Sequence, residues 1–534
     1  MTSTIQILVS LLAVTAAMGV AARRLDVPPA ILLVVAGIVL ALIPGLPRVE
    51  LAPEFVLLII LPPLIYDAAV AMSWREFRFN LRPIALLAIG CVVFTTAIVA
   101  TAAHYLIGFP WPVGFALGAI VSPPDAVAPI SIGRRMQMPR RIVVVLEGEG
   151  LANDATALIL YRFAIVATSL GSFSLGHAAA SFCAILAGEI LWGVGVGWLM
   201  LRVRRWVRDP RIEITLSILT PFLAYWPPEA LGGSGVLATV AAGLYISWNG
   251  LRLISAATRL QGVFFWDLVV YLIEGMVFLI TGLQARALLA GMNGHSAAEL
   301  IVAASVVGAA VIITRFVWVF PAVYLPRWLI PWLRERDPSP PWQWAFILGF
   351  TGIRGVVSLA AALAIPLTTQ TGEPFPQRDL IIFLAFVVIL LTLVGQGLML
   401  PSVIRSLGLA HAGRRERRVN REEEAEAWLQ ANQAALDRLQ GLAAERDVAR
   451  EVVARLDARY RELRTHLSRR SDRDARHRKA SAESDETELL LIEVERTTIN
   501  RLYRDGKLKD EGRRHIERAL DLREAEIANQ RAEE

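Results

Sequence analysis

Three polar residues lie close together inside a long apolar stretch of this sequence. The segment Leu146-Glu-Gly-Glu-Gly-Leu-Ala-Asn-Asp-Ala-Thr156 contains Glu149, Asn153 and Asp154. Asn153 follows Glu149 by four residues, so both side chains lie on one face of a helix, and Asp154 points about 100° away from them. This spacing favours Asp154 as a carboxylate in a cavity, where it can bind a cation or a proton. The alternative is a permanently protonated aspartate that only holds helices together.

A second acidic residue lies in a segment that cannot form an unbroken helix. Ser122-Pro-Pro-Asp-Ala-Val-Ala-Pro129 has three prolines in eight residues, and each interior proline removes a hydrogen bond and clashes with the preceding turn. Unpaired backbone groups at membrane depth are tolerated only where they line a cavity. An interrupted helix that carries Asp125 therefore indicates a binding site, with a simple proline kink as the alternative.

A third segment combines glycines with a cation. Gly349-Phe-Thr-Gly-Ile-Arg-Gly-Val-Val-Ser358 predicts an interrupted helix that carries Arg354. Interrupted helices at matching positions of two halves of a chain point to a transporter site. Here one interruption brings an anion to the middle of the membrane and the other brings a cation. Arg354 is also expected to be a static counter-ion for a buried acid.

The elements that must position these residues are apolar runs long enough, or nearly so, to cross ~30 Å of hydrocarbon as helices. We expect thirteen spans, in which spans 1–6 and 8–13 form two inverted six-helix repeats with crossed, discontinuous helices. The chain is 55% hydrophobic and 19% charged, which excludes a soluble enzyme and predicts an all-α membrane protein. The runs cover residues 5–22, 28–45, 55–73, 83–106, 111–132, 142–167, 178–201, 212–227, 234–248, 263–289, 299–324, 342–368 and 380–404.

Charge is distributed unevenly along the chain. Of the 54 Lys+Arg and 48 Asp+Glu, 28 of each lie in residues 413–534. We therefore predict a transmembrane domain over residues 1–412 and a charged helical tail over residues 413–534. The tail is interpreted as a solvated appendage for dimer contacts or stability, or as a regulatory module.

The arginines between the runs predict the orientation. The loops that follow odd-numbered spans contain nineteen arginines, and those that follow even-numbered spans contain only Arg48, Arg286 and Arg378. Because positive residues concentrate in cytoplasmic loops, we expect the N-terminus outside and the tail in the cytoplasm.

Ionisable residues deep in the apolar runs are mostly acidic. A charge at the bilayer centre costs roughly 2.5–3.5 kcal/mol on insertion scales, so each one requires a reason. Seven acids against three bases indicate that some of the acids meet water, a proton or a bound cation. Glu147, Glu189 and Glu274 have no assigned role, and Glu147 and Glu274 are interpreted as water-facing or funnel residues rather than ligands. The set is Asp67, Asp125, Glu147, Glu149, Asp154, Arg162, Glu189, Glu274, Arg315 and Arg354.

Other chemistries find no support in the sequence. Cys91 and Cys183 lie in apolar runs and exclude a disulfide scaffold, and the seven histidines are scattered without a zinc-binding spacing. No phosphate-binding Gly-Lys-Ser/Thr loop occurs, so transport is expected to be secondary rather than ATP-driven. We expect no cofactor and no nucleic-acid partner.

Taken together, these motifs resemble the bacterial NhaP-like sodium/proton antiporters of the monovalent cation:proton antiporter family one. The resemblance covers most of residues 1–410. It rests on Leu61-Pro-Pro-Leu-Ile-Tyr-Asp67, Ser122-Pro-Pro-Asp-Ala-Val-Ala, Glu149 with Asn153-Asp154, and Gly352-Ile-Arg-Gly-Val-Val-Ser-Leu. It implies a plasma-membrane homodimer that exchanges Na⁺ or Li⁺ for H⁺ in pH homeostasis, through an elevator-like movement.

The same resemblance implies the site residues. Asp154 would bind Na⁺ or H⁺ together with Asp125 and Asp67, and Asn153 beside Asp154 goes with electroneutral one-for-one exchange. Glu149, Asn153 and Arg354 would form a structural polar network. Pro124 and Gly150 stand where the family has hydroxyl residues, so backbone carbonyls, water or Ser122 would supply the replacement ligands. The alternatives are a K⁺/H⁺ antiporter, a cation channel, or a membrane sensor that signals through the tail.

Overall fold

The computed structural model of the chain divides into two compact units, Met1–Arg414 and Arg415–Glu534. Apart from loops and one isolated bridge between Thr368 and Pro374, the described residues are helical. Arg48, which the orientation prediction uses, lies outside the described part. The structure describes residues 2–25, 27–44, 52–170, 175–207, 209–250, 253–292, 294, 296–369, 372–445, 450–471, 475–505, 507 and 510–533.

The first unit contains fifteen principal helices in its described residues, with three short connecting helices left unlabelled. They are α1 (Thr2–Leu25), α2 (Pro29–Ala41), α3 (Pro53–Ala71), α4 (Leu81–Ile107), α5 (Trp111–Val121), α6 (Val127–Arg135), α7 (Arg140–Leu170), α8 (Leu175–Arg204), α9 (Pro210–Ala230), α10 (Val236–Gly250), α11 (Ala256–Leu283), α12 (Ala297–Leu329), α13 (Trp342–Phe350), α14 (Val356–Leu363) and α15 (Arg378–Ser406).

Within the described residues, seven helical segments are long and apolar enough to cross a membrane. They confirm an all-helical, multi-pass membrane protein, which is the coarse architecture that the sequence predicts. The segments are Gln6–Leu25, Pro53–Ala71, Leu81–Ile107, Ala178–Arg204, Ala257–Ala290, Ala297–Leu329 and Arg378–Ser406.

Both interruptions predicted from proline and glycine are present. Residues 122–126 separate α5 from α6, and residues 351–355 separate α13 from α14. The two interruptions touch each other, because the backbone N–H of Asp125 donates to the carbonyl of Ile353 at 2.7 Å. Gly355 lies directly against the Asp125 carboxylate, and a side chain at this position would collide with it. The close approach therefore requires glycine.

The helices around the interruptions form one packed group, which we call the site bundle (α4–α7 and α12–α15). Within it, α7 packs against α4 and α5, α12 against α4 and α13, and α14 against α15. A second group, the scaffold bundle (α2, α3 and α8–α11), is held by α8 against α10, α3 against α10, and α2 against α11. At the last contact Gly37 faces Gly282, and the missing side chains let the two backbones touch.

The second unit has its own small helical contacts. Its described helices are the later part of α16 (Leu409–Glu445), α17 (Arg450–Ser471), α18 (Ala475–Arg504) and α19 (Asp510–Glu533). Ile492, Leu520 and Ile527 bury a short apolar seam between α18 and α19. Surface ion pairs flank this seam, as the abundance of opposite charges in the tail sequence suggests.

Candidate functional site

A cavity of about 1500 Å³ lies between the two bundles. Its walls carry Asp67 of α3 and Glu274 of α11 from the scaffold bundle, and Asp125 and Asp154 from the site bundle. The structure therefore brings together three of the four predicted cation-binding residues. Among the described residues, none forms a hydrogen bond or ion pair with the carboxylates of Asp67, Asp154 or Glu274.

One end of the cavity is lined by arginine side chains, and we call this end the arginine mouth. Exposed Arg75, Arg134 and Arg259 line this end, and each lies at or near the end of a helix. The helix α7 begins at Arg140 on the same side and passes Asp154 as it crosses the bundle. A cation entering at the mouth therefore reaches Asp154 from the N-terminal side of α7.

Asp154 also lines a second, much smaller pocket. This pocket measures about 10 Å³, which is no more than the space of one water molecule, and it is lined by Ala157 and Tyr161 further along α7 and by Ser358 of α14. Ala157 and Tyr161 follow Asp154 along α7, away from the arginine mouth, whereas Ser358 lines the large cavity as well. Asp154 thus borders both the wide cavity and the small pocket.

Asp125 lies within the interruption between α5 and α6, two residues before α6 begins. Its Oδ1 accepts a hydrogen bond from the backbone N–H of Val127 at 3.0 Å, so the carboxylate caps the N-terminus of α6. A negative charge is stabilised at this end of a helix, where N–H groups are otherwise unpaired. Its second oxygen faces Gly355 of the other interruption.

Arg354 binds backbone carbonyls rather than an acid. Its guanidinium donates from Nε to the carbonyl of Val121 at 2.9 Å, from Nη2 to that of Ser122 at 3.3 Å, and from Nη1 to that of Gly352. The contacts with Val121 and Ser122 satisfy carbonyls at the C-terminus of α5, where the helix dipole favours a cation. The backbone N–H of Arg354 in turn donates to the hydroxyl of Thr392 at 3.0 Å, in a π-helical turn of α15.

The counter-ion of buried Glu149 is Arg315, not Arg354. Arg315 Nη1 and Nη2 lie 2.5 and 2.8 Å from the two carboxylate oxygens, and both side chains are 1% exposed. Arg315 Nε also donates to the carbonyl of Leu348 at 2.9 Å, which ties α12 and α7 to the end of α13. The expected role of Arg354 as a counter-ion is therefore corrected. The sequence signal for this role of Arg315 was its position in the middle of an apolar run.

Asn153 completes the connections to the interruptions. Its Nδ2 donates to the carbonyl of Pro124 at 2.6 Å, which holds α7 against the break between α5 and α6. Glu149, Asn153 and Arg354 were expected to form one network. In the described residues they make separate contacts instead, and each one ties a helix to an interruption.

The predicted hydroxyl of Ser122 does not line the cavity, and the hydroxyl residue beside Asp154 is Ser358 instead. The Ser122 hydroxyl donates to the carbonyl of Ala119 at 3.2 Å, so it is turned into α5. Ser358 lines both the cavity and the small pocket beside Asp154. The sequence signal that could have identified Ser358 was its position at the end of the Gly-Val-Val-Ser segment. It lies four residues after Arg354.

Two of the three unassigned acids have structural partners. Glu147 pairs with Arg134 at 2.7 Å beside the cavity. Glu189 of α8 is buried and accepts hydrogen bonds from the backbone N–H groups of Ser234 at 2.6 Å and Leu237 at 3.1 Å, at the N-terminus of α10. Glu274 is the one of the three that lines the cavity without a partner in the described part of the chain.

The geometry defines a class of protein: a multi-pass helical membrane protein in which unpaired carboxylates meet at two interrupted helices. In the described residues, no group of three or more His, Cys, Asp or Glu side chains is arranged to hold a metal ion. A cation at this site would therefore depend partly on backbone carbonyls, hydroxyls and water.

Comparison with known proteins identifies the family. The family profile described as "Sodium/hydrogen exchanger, transmembrane" matches residues 8–406. A protein named as an uncharacterized Na⁺/H⁺ exchanger of Mycobacterium tuberculosis is 35% identical over 533 residues, which cover 98% of this chain and 96% of the relative. The chain belongs to the sodium/hydrogen exchanger family, as its motifs suggest.

Further similarities agree with this assignment. A sodium, potassium, lithium and rubidium/H⁺ antiporter of Bacillus subtilis is 35% identical over 393 residues, which cover 70% of this chain and 57% of the relative. The solved structure of the sodium proton antiporter MjNhaP1 from Methanocaldococcus jannaschii has a TM-score of 0.57 at 18% identity, over 76% of this chain and 99% of that one, which shows a shared fold. Members of the family are cation/proton antiporters, and the ions they carry are substrates rather than cofactors.

Proposed function

We propose that this protein exchanges Na⁺ or Li⁺ for H⁺ by alternating access, with the cation and the proton competing for Asp154. The observation that carries the proposal is the position of Asp154 between the open cavity and the closed pocket. A bare carboxylate is costly to move through an apolar region, whereas a carboxylate neutralised by a cation or a proton is not. This difference couples the two fluxes, because the empty and charged site does not cross.

The cation ligands in this proposal are oxygens from both bundles. Asp154 and Asp125 contribute from the site bundle, Asp67 contributes from α3, and Ser358 replaces the expected hydroxyl of Ser122. Hard cations prefer oxygen donors, and free carbonyls at the interruptions and water can complete the set. Glu274 contributes negative charge on the scaffold wall of the same cavity.

The charge of the site favours one-for-one, electroneutral exchange. Glu149 is neutralised by Arg315, and Asn153 supplies a neutral amide where a second carboxylate could have stood. Asp154 is then the one carboxylate on this part of α7 that is free to change its charge state. One cation and one proton are expected to alternate on it.

We further propose thirteen spans in two inverted repeats and a homodimer in the plasma membrane. The N-terminus lies outside and residues 413–534 lie in the cytoplasm, in accordance with the arginine distribution. In this proposed orientation the arginine mouth faces the cytoplasm, and the cavity is proposed to be open to the inside. The tail is proposed to serve dimer contacts, stability or regulation.

The proposal is tested by replacing Asp154 in reconstituted vesicles. Asp154→Asn should reduce Na⁺-driven proton movement to the level of protein-free vesicles while the protein still folds and elutes as the parent does. Asp379→Asn, at a 69% exposed side chain in the first turn of α15, is the matched control and should retain exchange. Surviving exchange in the Asp154 variant would refute the proposal.

A K⁺/H⁺ antiporter is the second candidate, because the relative from Bacillus subtilis carries potassium in its name and two family hydroxyls are replaced here by Pro124 and Gly150. Proton flux measured with Na⁺, Li⁺ and K⁺ in turn separates the two cations. A cation channel would instead pass current down its gradient without moving protons, and a sensor would show no flux in any of these conditions.

A further inference from the structure

The small pocket beside Asp154 is lined by residues further along the same helix, α7. Tyr161 follows Asp154 by seven residues, or about two helical turns, so both side chains lie on nearly the same face of α7. Tyr161 is 9% exposed and lines the small pocket together with Asp154. The tyrosine therefore borders the small pocket about two turns beyond Asp154, away from the arginine mouth.

The next residue connects the two bundles. Arg162 leaves α7 of the site bundle and forms an ion pair with Glu229, in the last turn of α9 of the scaffold bundle. The two helices otherwise pack mainly against other partners, α7 on α4 and α5, and α9 on α8 and α10. This ion pair therefore ties the bundle that carries the site to the bundle that forms the opposite wall.

The scaffold side of this connection is rigid. Glu189 of α8 fixes the turn between α9 and α10 through the backbone N–H groups of Ser234, Gly235 and Leu237. Tyr225, one turn before Glu229 on α9, is 1% exposed and packs against Gly235. Glu229 is thus presented to Arg162 from a fixed end of the scaffold bundle.

Side-chain exposure distinguishes the Arg162–Glu229 ion pair from the buried Arg315–Glu149 pair. The side chains of Arg162 and Glu229 are 33% and 23% exposed, whereas those of Arg315 and Glu149 are both 1% exposed. Separating a fully buried pair leaves uncompensated charge in an apolar environment, but partly exposed partners can be solvated when they part. Separating the Arg162–Glu229 pair should therefore cost less than separating the buried pair.

We propose that Tyr161 and the Arg162–Glu229 ion pair form a latch that closes the site on the side opposite the arginine mouth and must open before the cation can exchange there. This inference rests on the proposed antiport function, and it assigns Arg162 and Glu229 a role in positioning the two bundles rather than in binding the cation.

The test is a reversible covalent lock. In a Cys183→Ser background, which removes the exposed native thiol, Arg162→Cys and Glu229→Cys are combined and reconstituted into vesicles. Under reductant the variant should exchange Na⁺ for H⁺. After crosslinking with copper-phenanthroline, exchange should fall to the protein-free level, and dithiothreitol should restore it. Undiminished exchange after complete crosslinking would overturn the latch.

A matched control applies the same substitutions within one unit. Arg496 and Glu524 form an exposed ion pair between α18 and α19, 2.6 Å apart, and Arg496→Cys with Glu524→Cys should crosslink without loss of exchange. If the reduced latch variant and the control both lack exchange, the antiport proposal fails rather than the latch.

A labelling measurement tests the latch without relying on flux. Ala157, at 4% exposure in the small pocket, is replaced by cysteine and treated with a membrane-impermeant maleimide from the side opposite the arginine mouth. Glu229→Gln or Arg162→Gln should increase the labelling rate at Ala157→Cys relative to the intact pair. An unchanged rate in both variants would show that the ion pair does not hold this side closed.

Discussion

Arg315 of α12 donates hydrogen bonds to both carboxylate oxygens of Glu149 of α7, at 2.5 and 2.8 Å. Both side chains are 1% exposed. The pair lies one helical turn before Asn153, next to the helix interruptions. It joins α7, which carries Asp154, to α12, and Arg315 Nε also donates to the carbonyl of Leu348 in α13, the helix that precedes the second interruption. The site bundle is therefore held together by a charge pair that does not itself face the cavity.

Removing one partner of this pair should unfold the site bundle. We expect Arg315→Gln to destabilise the protein by about 3–5 kcal/mol, because it strands a buried carboxylate without its cation. The melting temperature in detergent and the yield of monodisperse protein measure this effect. Arg162→Gln, at a partly exposed pair, is the control and should change the melting temperature far less. Equal melting temperatures for the parent and Arg315→Gln would contradict the structural role.

Arg354 should behave as a backbone clamp. Arg354→Gln removes charged donors from the carbonyls of Val121, Ser122 and Gly352, and hydrogen bonds to charged groups contribute roughly 1.5–3 kcal/mol each. We expect a low yield of folded protein, with partial recovery in Arg354→Lys, which keeps the charge but not the planar fork. A variant as stable as the parent but inactive would instead assign Arg354 a direct role in transport.

The two serines near the site should differ in their effect on cation affinity. Ser358→Ala removes a hydroxyl beside Asp154 and should raise the KM for Na⁺ about two- to tenfold, which corresponds to one hydrogen-bond-sized interaction of about 0.5–1.5 kcal/mol. Ser122→Ala removes a hydroxyl that is bonded to Ala119 and should leave the KM unchanged. Initial rates of Na⁺-dependent proton release measure both values. The reverse order of effects would restore Ser122 as the ligand.

Glu189 should be needed for stability rather than transport. Glu189→Gln keeps the shape of the side chain but replaces one accepting oxygen with an amide beside the N–H groups at the start of α10, at an expected cost of roughly 1–3 kcal/mol. The Glu147–Arg134 pair has a 61% exposed arginine side chain, so Glu147→Gln should cost less than about 1 kcal/mol. Melting temperatures of the two variants give the comparison. A larger loss for Glu147→Gln would show that burial does not rank these acids.

The sequence by itself determined the features that depend on neighbouring residues. Proline and glycine fix where the backbone cannot be helical, so both interruptions could be located without knowing the fold. The free-energy cost of a charge in an apolar run also pointed to Asp125 and Asp154. This cost depends only on the residue and its neighbours in the sequence. The all-helical membrane architecture followed from composition, and the family followed from four motifs in order along the chain.

Only the tertiary structure decided which distant groups meet. Arg315 and Arg354 both lie deep in apolar runs. Because α12 faces α7, Arg315 pairs with Glu149. Arg354 instead binds the carbonyls at the end of α5. Ser122 lies next to Asp125 in sequence but its hydroxyl is turned into α5, whereas Ser358, more than two hundred residues from Asp154, lines the same pocket. The orientation of a side chain around its helix and the identity of the opposing helix are set by packing of the whole bundle. Local spacing therefore predicts which residues are functional more readily than it predicts their partners.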